Sequence, residues 1–535
     1  MSVPATPPRV TTSARTAAMT AARNMAHGEQ LSRIARKYPE RTAYICGDTV
    51  RSFSDIDRRV TRLANALATR GLRHGDRLAV LMTNSIEMLE TIFAGWRVGA
   101  IVVPINFRLV ADEVGFILGD CGASGVVVDE GLAPLVRGVR ADLSDAVRVV
   151  VFGESPQGGP GTERYDDLIE AADDTPTPVS VDEQDPALIM YTSGTTGRPK
   201  GAVLTHFNLL MSTLNSMVTQ GIVGYDDVWY GNLPLFHIGG LTGILPYVMG
   251  GGSAVVVPSG NFESRQAVEE MERYGVTGCV FVGMQWDEIC DQVTASGARL
   301  SLRRAAWGAA NTPVDVLKKM ERALPGVPIF SFFGQTEMSP VTCILRAEDS
   351  ERKRGSVGRP LMNVEARVVD DDGKDVAVGE VGEIVYRGPT VMQGYWKMPE
   401  TNELAFADGW FHSGDLCRMD EEGYLYVVDR KTDMIISGGE NIYCPEVEAV
   451  LRAHPGVADA ALIGVPDPKW GETPRAIIVP TDPGEPPDEA LLIGWCKEHL
   501  ASYKKPTSVF VTDRFPLNSA GKVLKPVLRQ QFGQP

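Results

Sequence analysis

Tyr191-Thr-Ser-Gly-Thr-Thr-Gly-Arg-Pro-Lys-Gly201 lies between a short apolar run, Ala187 to Tyr191, and a helix-like stretch from His206. Within it Gly194, Gly197 and Gly201 let backbone amides turn toward one point, the hydroxyls of Thr192, Ser193, Thr195 and Thr196 add donors, and Lys200 adds positive charge. A strand that opens into such a loop makes a cradle for a polyphosphate. The spacing matches neither the Walker loop, G-x-x-x-x-G-K-[ST], nor the dinucleotide turn, G-x-G-x-x-G. A lone Gly/Ser/Thr run can be no more than a polar loop, but a string this particular argues for a phosphate site.

Working outward, the preceding third of the chain alternates helical and strand periods. Ile56, Val60, Leu63, Ala64 and Leu67 share one helical face, and Leu78 to Met82 is a short apolar run. A helix-like stretch from Ile86 to Val98 leads into the strand-like Ala100 to Ile105, a helix near 111 to 119, and Val126 to Val128. This repeated β-α-β pattern predicts an α/β fold, a parallel-rich sheet covered by helices. The pattern resumes after a Pro/Asp-rich break at 173 to 186 and runs to a strand at Ile329 to Phe333. From Val364 to Arg387 it becomes alternating short strands with an Asp371-Asp372-Gly373 turn, which predicts a β-rich subdomain over about 360 to 430. Beyond Asp429 a helix (446 to 453), strands (460 to 465 and 475 to 480), a helix (488 to 500) and a strand (508 to 512) predict a small α+β domain. The expected layout is a flexible tail at 1 to 26, a large N-terminal domain at 27 to 430 and a C-terminal domain at 431 to 535.

Composition narrows the function. With 44% hydrophobic and 22% charged residues the 535-residue chain is an ordinary globular protein, large enough for several cores. A formal net charge of −16 disfavours general nucleic-acid binding. The eight cysteines form no CxxC pair and no Cys/His cluster, so neither a zinc site nor a disulfide framework is indicated, and the expected compartment is the cytoplasm. Residues 1 to 26 are rich in Ala, Thr, Pro and Arg and lack acids, which suits a flexible tail or, less well, a transit peptide. Leu235 to Pro258 is free of Asp, Glu, Lys and Arg, but His237, Pro246 and several glycines make it a buried loop, helix and strand rather than a membrane span; peripheral membrane contact stays open.

Further strings occur in a fixed order along the chain: Phe333-Gly-Gln-Thr-Glu337, Trp410-Phe-His-Ser-Gly-Asp415, Asp429-Arg-Lys-Thr-Asp433, Gly438-Gly-Glu-Asn441 and Asn518-Ser-Ala-Gly-Lys522. With the phosphate loop they make the chain, from about residue 28 to 528, resemble the adenylate-forming enzymes, which include acyl-CoA synthetases, peptide-synthetase adenylation domains and luciferases. The resemblance implies a large adenylate-forming domain and a small mobile C-terminal domain, with ATP, magnesium and coenzyme A as cofactor and co-substrates. It also implies two half-reactions: a carboxylate attacks the α-phosphate of ATP and releases pyrophosphate, then a thiol attacks the acyl-adenylate and releases AMP. Both move negative charge, so fixed cations and oriented donors matter more than a protein nucleophile. No G-x-S-x-G elbow is present, which removes the serine-esterase alternative.

Residue roles follow from the same resemblance. Glu337 is implied in magnesium binding with a loop hydroxyl, Thr192 before Thr195; alone, it would be as well read as a solvated carboxylate. Phe333 should stack on adenine, with Gly334, Gln335 and Thr336 beside it and Gly308, Ala309 and Ala310 lining the base pocket. Asp415 should accept from the ribose hydroxyls and Arg430 should contact ribose or phosphate, although either alone is more often part of a surface ion pair. Lys522 should bring carboxylate and α-phosphate together during adenylation only. The C-terminal domain should swing about a hinge in Asp429 to Asp433, where Thr432 stands in place of the usual Asp or Lys. Gly438, Gly439 and Glu440 should then line a pantetheine tunnel, unless the glycines merely make a tight turn.

Leu233-Pro-Leu-Phe-His-Ile-Gly-Gly240 resembles the acid-pocket motif of acyl and aryl ligases, with His237 either gating the pocket or packed in the core. No acid occurs between Asp227 and Glu263, so the ammonium of an amino-acid substrate would have no partner there. Apolar residues around this loop and around Val280 to Met284 point to a hydrophobic acid. The expected product is an acyl-CoA, with a fatty acid as first choice and an aryl acid as alternative, supported by Pro466-Asp-Pro-Lys-Trp-Gly-Glu472, which resembles a stretch of CoA-forming members. Loading of a carrier protein, a luciferase-like oxygenase and an inactive binding protein are the competing readings.

Overall fold

The computed structural model describes residues 22–139, 148–153, 162–177, 179–192, 199–222, 224–308, 312–438, 440–517 and 522–534. Two large sheets dominate, with strands counted over those residues. The first has eight strands, in the order Gly394–Tyr395, Lys200–Thr205, Pro186–Thr192, Ile101–Pro104, Arg77–Leu81, Gly125–Asp129, Arg148–Phe152 and Thr162–Arg164. It is parallel from Pro186–Thr192 onward and antiparallel at the Gly394–Tyr395 end. The second has nine strands and is parallel from Ile329–Gly334 through Arg304–Gly308, Gly278–Phe281, Val228–Gly231 and Ser253–Val256 to Thr42–Cys46, with antiparallel strands at both edges.

Strand parity explains the layering. Leu78 and Val80 of one sheet and Trp229, Val280 and Ala306 of the other enter a single core with the helices Phe53–Thr69, Ile86–Val98 and Ile238–Met249. The alternate residues Ala79 and Leu81 pack outward against the helix Ala111–Cys121, while Tyr230, Cys279 and Phe281 pack outward against Ser264–Arg273 and Gly283–Ser296. The result is a five-layer stack, helices–sheet–helices–sheet–helices. Strands buried on both faces read as unbroken apolar runs, which is why Leu78 to Met82 is legible without alternation. The Ile86–Val98 helix lies between the sheets and is buried almost all round, including Glu90, whose carboxylate takes Arg59 at 2.6 Å and the Tyr165 hydroxyl at 2.9 Å.

A four-stranded antiparallel sheet, Glu365–Val369, Val381–Arg387, Phe411–Met419 and Leu425–Arg430, forms the β-rich part. The C-terminal part is a five-stranded sheet of Glu440–Ile442, Ile435–Ser437, Gly471–Pro480, Val457–Asp467 and Ser508–Val511 with the helices Cys444–Arg452, Glu489–His499 and Lys525–Phe532. The fold is thus the α/β class expected, parallel-rich in its large part with a smaller α+β part.

One local expectation changes and another holds. Residues 24–26 are tied down rather than part of a tail: Arg33 donates to the Asn24 carbonyl, Gln30 to Met25 Sδ at 3.0 Å, and Ala26 is buried. Leu235 to Pro258 holds the helix Ile238–Met249 and the strand Ser253–Val256, and no helix among the described residues is long and apolar enough to cross a membrane.

Candidate active site

The phosphate-loop string joins two antiparallel strands. Thr192 pairs with Lys200 and Tyr191 with Gly201, so the two ends of the string are antiparallel partners, and the helix-like stretch begins only after a strand, Lys200–Thr205. The strand stops where Thr205 caps the helix His206–Gln220: Thr205 Oγ1 accepts from the Asn208 amide at 3.1 Å and Asn208 Oδ1 accepts from the Thr205 amide at 2.9 Å. Ser193, Gly194, Thr195, Thr196 and Gly197 lie outside the described residues, as do Ala309, Ala310 and Gly439. Where the strands pair, Lys200 Nζ sits 5.2 Å from the centre of the Tyr395 ring.

Glu337 is brought to the same place. Its strand, Ile329–Gly334, ends in a bulge at Phe333/Gly334, where the chain folds back so tightly that a Cβ on Gly334 would fall 2.0 Å from the Pro340 carbonyl oxygen. The returning turn, Thr336–Met338, buries Glu337, and its Oε1 accepts the Tyr395 hydroxyl at 2.9 Å. Tyr395 in turn is fixed by pairing with Ala202. One tyrosine therefore links the cation of the phosphate-loop string to the carboxylate of Phe333-Gly-Gln-Thr-Glu337. In the sequence Gly394-Tyr-Trp396 carries no mark of this role beyond its glycine.

Asp415 and Arg430 stand directly opposite on paired strands, with Arg430 Nε 2.6 Å from Asp415 Oδ1. Burial pushes the Asp415 carboxyl above its ordinary range, and the charges of Arg430 and Lys522 pull it back. Lys522, from the C-terminal part, is lowered first by burial and then by repulsion from Arg430, with Asp415 opposing. The structure thus gathers Asp415, Arg430 and Lys522 from three distant strings into one mutually interacting group, and the Glu337 charge also reaches Asp415.

Between these parts the chain changes allegiance within two residues. The Lys431 amide donates to Gly414 O at 2.8 Å and its ammonium reaches Asp371 and Glu383, all on the β-rich part. Asp433 instead takes Arg529 of the last helix at 2.9 Å, and Arg529 also donates to the Thr432 carbonyl. Asp429 spans the junction, accepting from the Arg430 and Cys444 amides at 2.7 Å each, and burial raises its carboxyl to about 6. Farther on, Ser437 pairs with Glu440 across antiparallel strands, and Gly438 follows directly on Ser437. Gly438 has φ +61°, and a Cβ there would meet the Trp470 ring at 2.7 Å. Two strings far apart in sequence, 438–441 and 466–472, are therefore one surface.

A cavity of about 190 Å³ opens beside Gly308, Phe333 and Gly334. Leu233 and Gly239 of the 233–240 loop line it, with Thr242, Gly243, Pro246 and Tyr247 of the following helix and Val280 to Val282 of the adjoining strand. Both apolar stretches picked out in the sequence meet here. His237 is not among the lining residues; it packs against Phe236 with ring centres 4.5 Å apart, and burial lowers its imidazole to about 4, leaving it neutral near pH 7.

No three His, Cys, Asp or Glu residues converge on a metal position among the described residues. A hard cation near Glu337 and Thr192 would draw most of its oxygens from substrate phosphates and water, as magnesium does. The buried Glu337 carboxylate fits that demand as a protein oxygen, while Thr192 Oγ1 donates to the Lys200 carbonyl at 3.4 Å.

The chain was compared with known proteins. Residues 31–396 match the model described as AMP-binding enzyme, and residues 446–522 match the AMP-binding enzyme C-terminal domain. A feruloyl-CoA synthase of an Amycolatopsis species is 40% identical over 96% of this chain and all of that one. A long-chain-fatty-acid–CoA ligase of Mycobacterium tuberculosis is 36% identical over 94% of this chain and 98% of that one. Among solved structures, an o-succinylbenzoate CoA synthetase of Bacillus subtilis in complex with its acyl-adenylate aligns with a TM-score of 0.82 and 33% identity, over 94% of this chain and 97% of that one. With both family models matched and a relative 40% identical along nearly its whole length, the chain belongs to the AMP-binding enzyme family.

Proposed function

We propose that the protein is an ATP-dependent acid–CoA ligase that activates a compact aromatic carboxylic acid. The observation that carries this reading is the position of the cavity. It ends at Phe333 and Gly334, so an acid within it presents its carboxylate toward the residues assigned to the nucleotide.

In the adenylation step the substrate carboxylate oxygen bonds to the α-phosphorus of ATP and the bond to pyrophosphate breaks. The phosphate loop, through Thr192, Ser193, Thr195, Thr196, the amides at Gly194 and Gly197, and Lys200, holds the polyphosphate. Phe333, with Gly308, Ala309 and Ala310, holds the base, and Gln335 and Thr336 border it. Asp415 accepts from the ribose hydroxyls, with Arg430 orienting it. Lys522 supplies positive charge between two anions that would otherwise repel. Glu337 and Thr192 would hold magnesium, which neutralises phosphate charge when bound. In the second step the thiolate of CoA attacks the acyl carbon and AMP leaves, with the Gly438–Glu440 turn and Trp470 bordering the pantetheine path. The domains divide as 27–430 and 431–535, with the swing at Thr432, since its neighbours on either side are bonded to different parts.

Cavity size favours an aromatic acid over a long chain. A dry cavity of about 150 Å³ accommodates benzene, so about 190 Å³ suits one substituted ring. The 40% relative named for feruloyl-CoA supports the same class. The test is pyrophosphate release with ATP and magnesium over benzoic, cinnamic and fatty acids, with and without CoA. Thioester formation from single-ring acids is the expected result. Preference for long-chain acids would overturn the aromatic assignment, and acyl-adenylate without thioester would redirect the reading to carrier loading.

A further inference from the structure

The inference here rests on the aromatic-acid reading and concerns the inner end of the cavity. Strand registers fix its depth. Trp229 pairs with Gly278 and Gly278 with Arg304, while Gly308 lies four residues beyond Arg304 on the same strand. At about 3.3 Å per residue, Trp229 stands about 13 Å below the level of Gly308. Trp229, Gly278, Val280, Arg304 and Gly308 fall on one face by strand parity, so the indole and Gly308 belong to the two ends of one cavity.

That inner end is not apolar throughout. Trp229 is only 4% exposed, and its Nε1–H donates to no acceptor among the described residues. Ser216 and Gln220, also lining the cavity, come from the helix His206–Gln220 and likewise make no side-chain hydrogen bond to a described residue. The other hydroxyls nearby are engaged, Thr242 donating to Ile238 O at 2.8 Å and Tyr247 accepting from Arg304 at 3.4 Å. Gly243 keeps the indole edge open: a Cβ there would stand 2.9 Å from Trp229 Cζ2 and 3.2 Å from Nε1. A buried indole donor facing a cavity is unfavourable unless a ligand pairs with it, and indole nitrogen can only donate.

We propose that Trp229 Nε1 donates a hydrogen bond to an oxygen substituent on the ring of the acid, at the end remote from its carboxyl group, with Ser216 and Gln220 as adjacent partners. The pocket thereby selects oxygenated aromatic acids over their unsubstituted counterparts, because an unsubstituted ring leaves all three groups unpaired.

The test compares kcat/KM for 4-hydroxycinnamate, 4-methoxycinnamate and cinnamate in wild type, Trp229→Phe and Gly243→Ala. The wild type is expected to prefer both oxygenated acids by about 10-fold or more. Trp229→Phe keeps a ring but removes the donor, and Gly243→Ala covers it. Each should bring the ratio of kcat/KM for the oxygenated acids to that for cinnamate close to one, whatever the change in absolute rate. Equal use of the three acids by the wild type, a preference that survives both substitutions, or parallel loss on all three acids in both variants overturns the inference while leaving the ligase reading intact. Failure of every aromatic acid to release pyrophosphate, with fatty acids active, overturns the aromatic-acid reading itself and this inference with it.

Discussion

Around Glu337, Asp415, Arg430 and Lys522 the molecule concentrates charge on side chains drawn from four separate strings, whereas some residues away the cavity between Phe333 and Trp229 is lined by glycines, aliphatic residues and aromatic faces. The first region gathers charged groups that the proposed reaction sets against phosphate, and burial tunes them, raising Asp415 and lowering Lys522. The second works through shape, with glycines at 239, 243 and 308 leaving room and a few donors left unpaired. On the proposed reading, one region sets the reaction and the other sets the acid.

Substitutions separate the two. The largest effect is expected from Lys522→Ala, which should slow pyrophosphate release by about 10²- to 10³-fold while thioester formation from supplied acyl-adenylate stays near wild type. Equal loss in both half-reactions would sink the division of labour. A second test lies outside both regions and should move them together. His27 is fully buried 3.3 Å from His206, and burial lowers its imidazole to about 4, while His206 is lowered by burial, His27 and His74. Below pH 6.5 the unfolded chain takes up a proton that the folded chain refuses, so stability should fall as pH drops from about 6.5 toward 4. His27 alone would contribute a loss of about 3 kcal/mol, read from denaturant midpoints, and His27→Leu should flatten that slope. A smaller change, Val280→Phe, fills the cavity and should cut kcat/KM for the acid about 10-fold by overpacking, with KM for ATP unchanged; a matching rise in KM for ATP would mean that the two regions are not separable. Smallest is Tyr395→Phe, which removes the hydrogen bond to Glu337. The magnesium concentration for half-maximal rate should rise about fivefold, the equivalent of about 1 kcal/mol, and no change would show that packing alone holds Glu337.

The same contrast governs what could be read in advance. Leu78 to Met82, Ile86 to Val98 and Ile329 to Phe333 are found as strand, helix and strand at nearly the boundaries expected, because burial on both faces leaves an unbroken apolar signature. Lys200–Thr205 is hard to read as a strand because only Ala202 to Leu204 are apolar and the helix cap at Thr205 follows at once, although it pairs locally with Pro186–Thr192 as well as with Gly394–Tyr395. At 431 to 433, where the sequence leaves the hinge in doubt by one residue, partners change from Gly414 for Lys431 to Arg529 for Asp433, which supports the proposed swing at Thr432.

By itself the sequence determined the layered α/β class, the order of the charged strings and the family, since catalytic atoms of fixed type must recur at fixed places in the chain. Tertiary structure alone decided that Tyr395 joins Lys200 to Glu337, that Gly438 lies under Trp470, and that Trp229 and Phe333 line one cavity. Those facts are distances between residues remote in sequence. They arise from how sheets and helices pack, and apolar periodicity specifies only which faces are buried, not which side chains meet there.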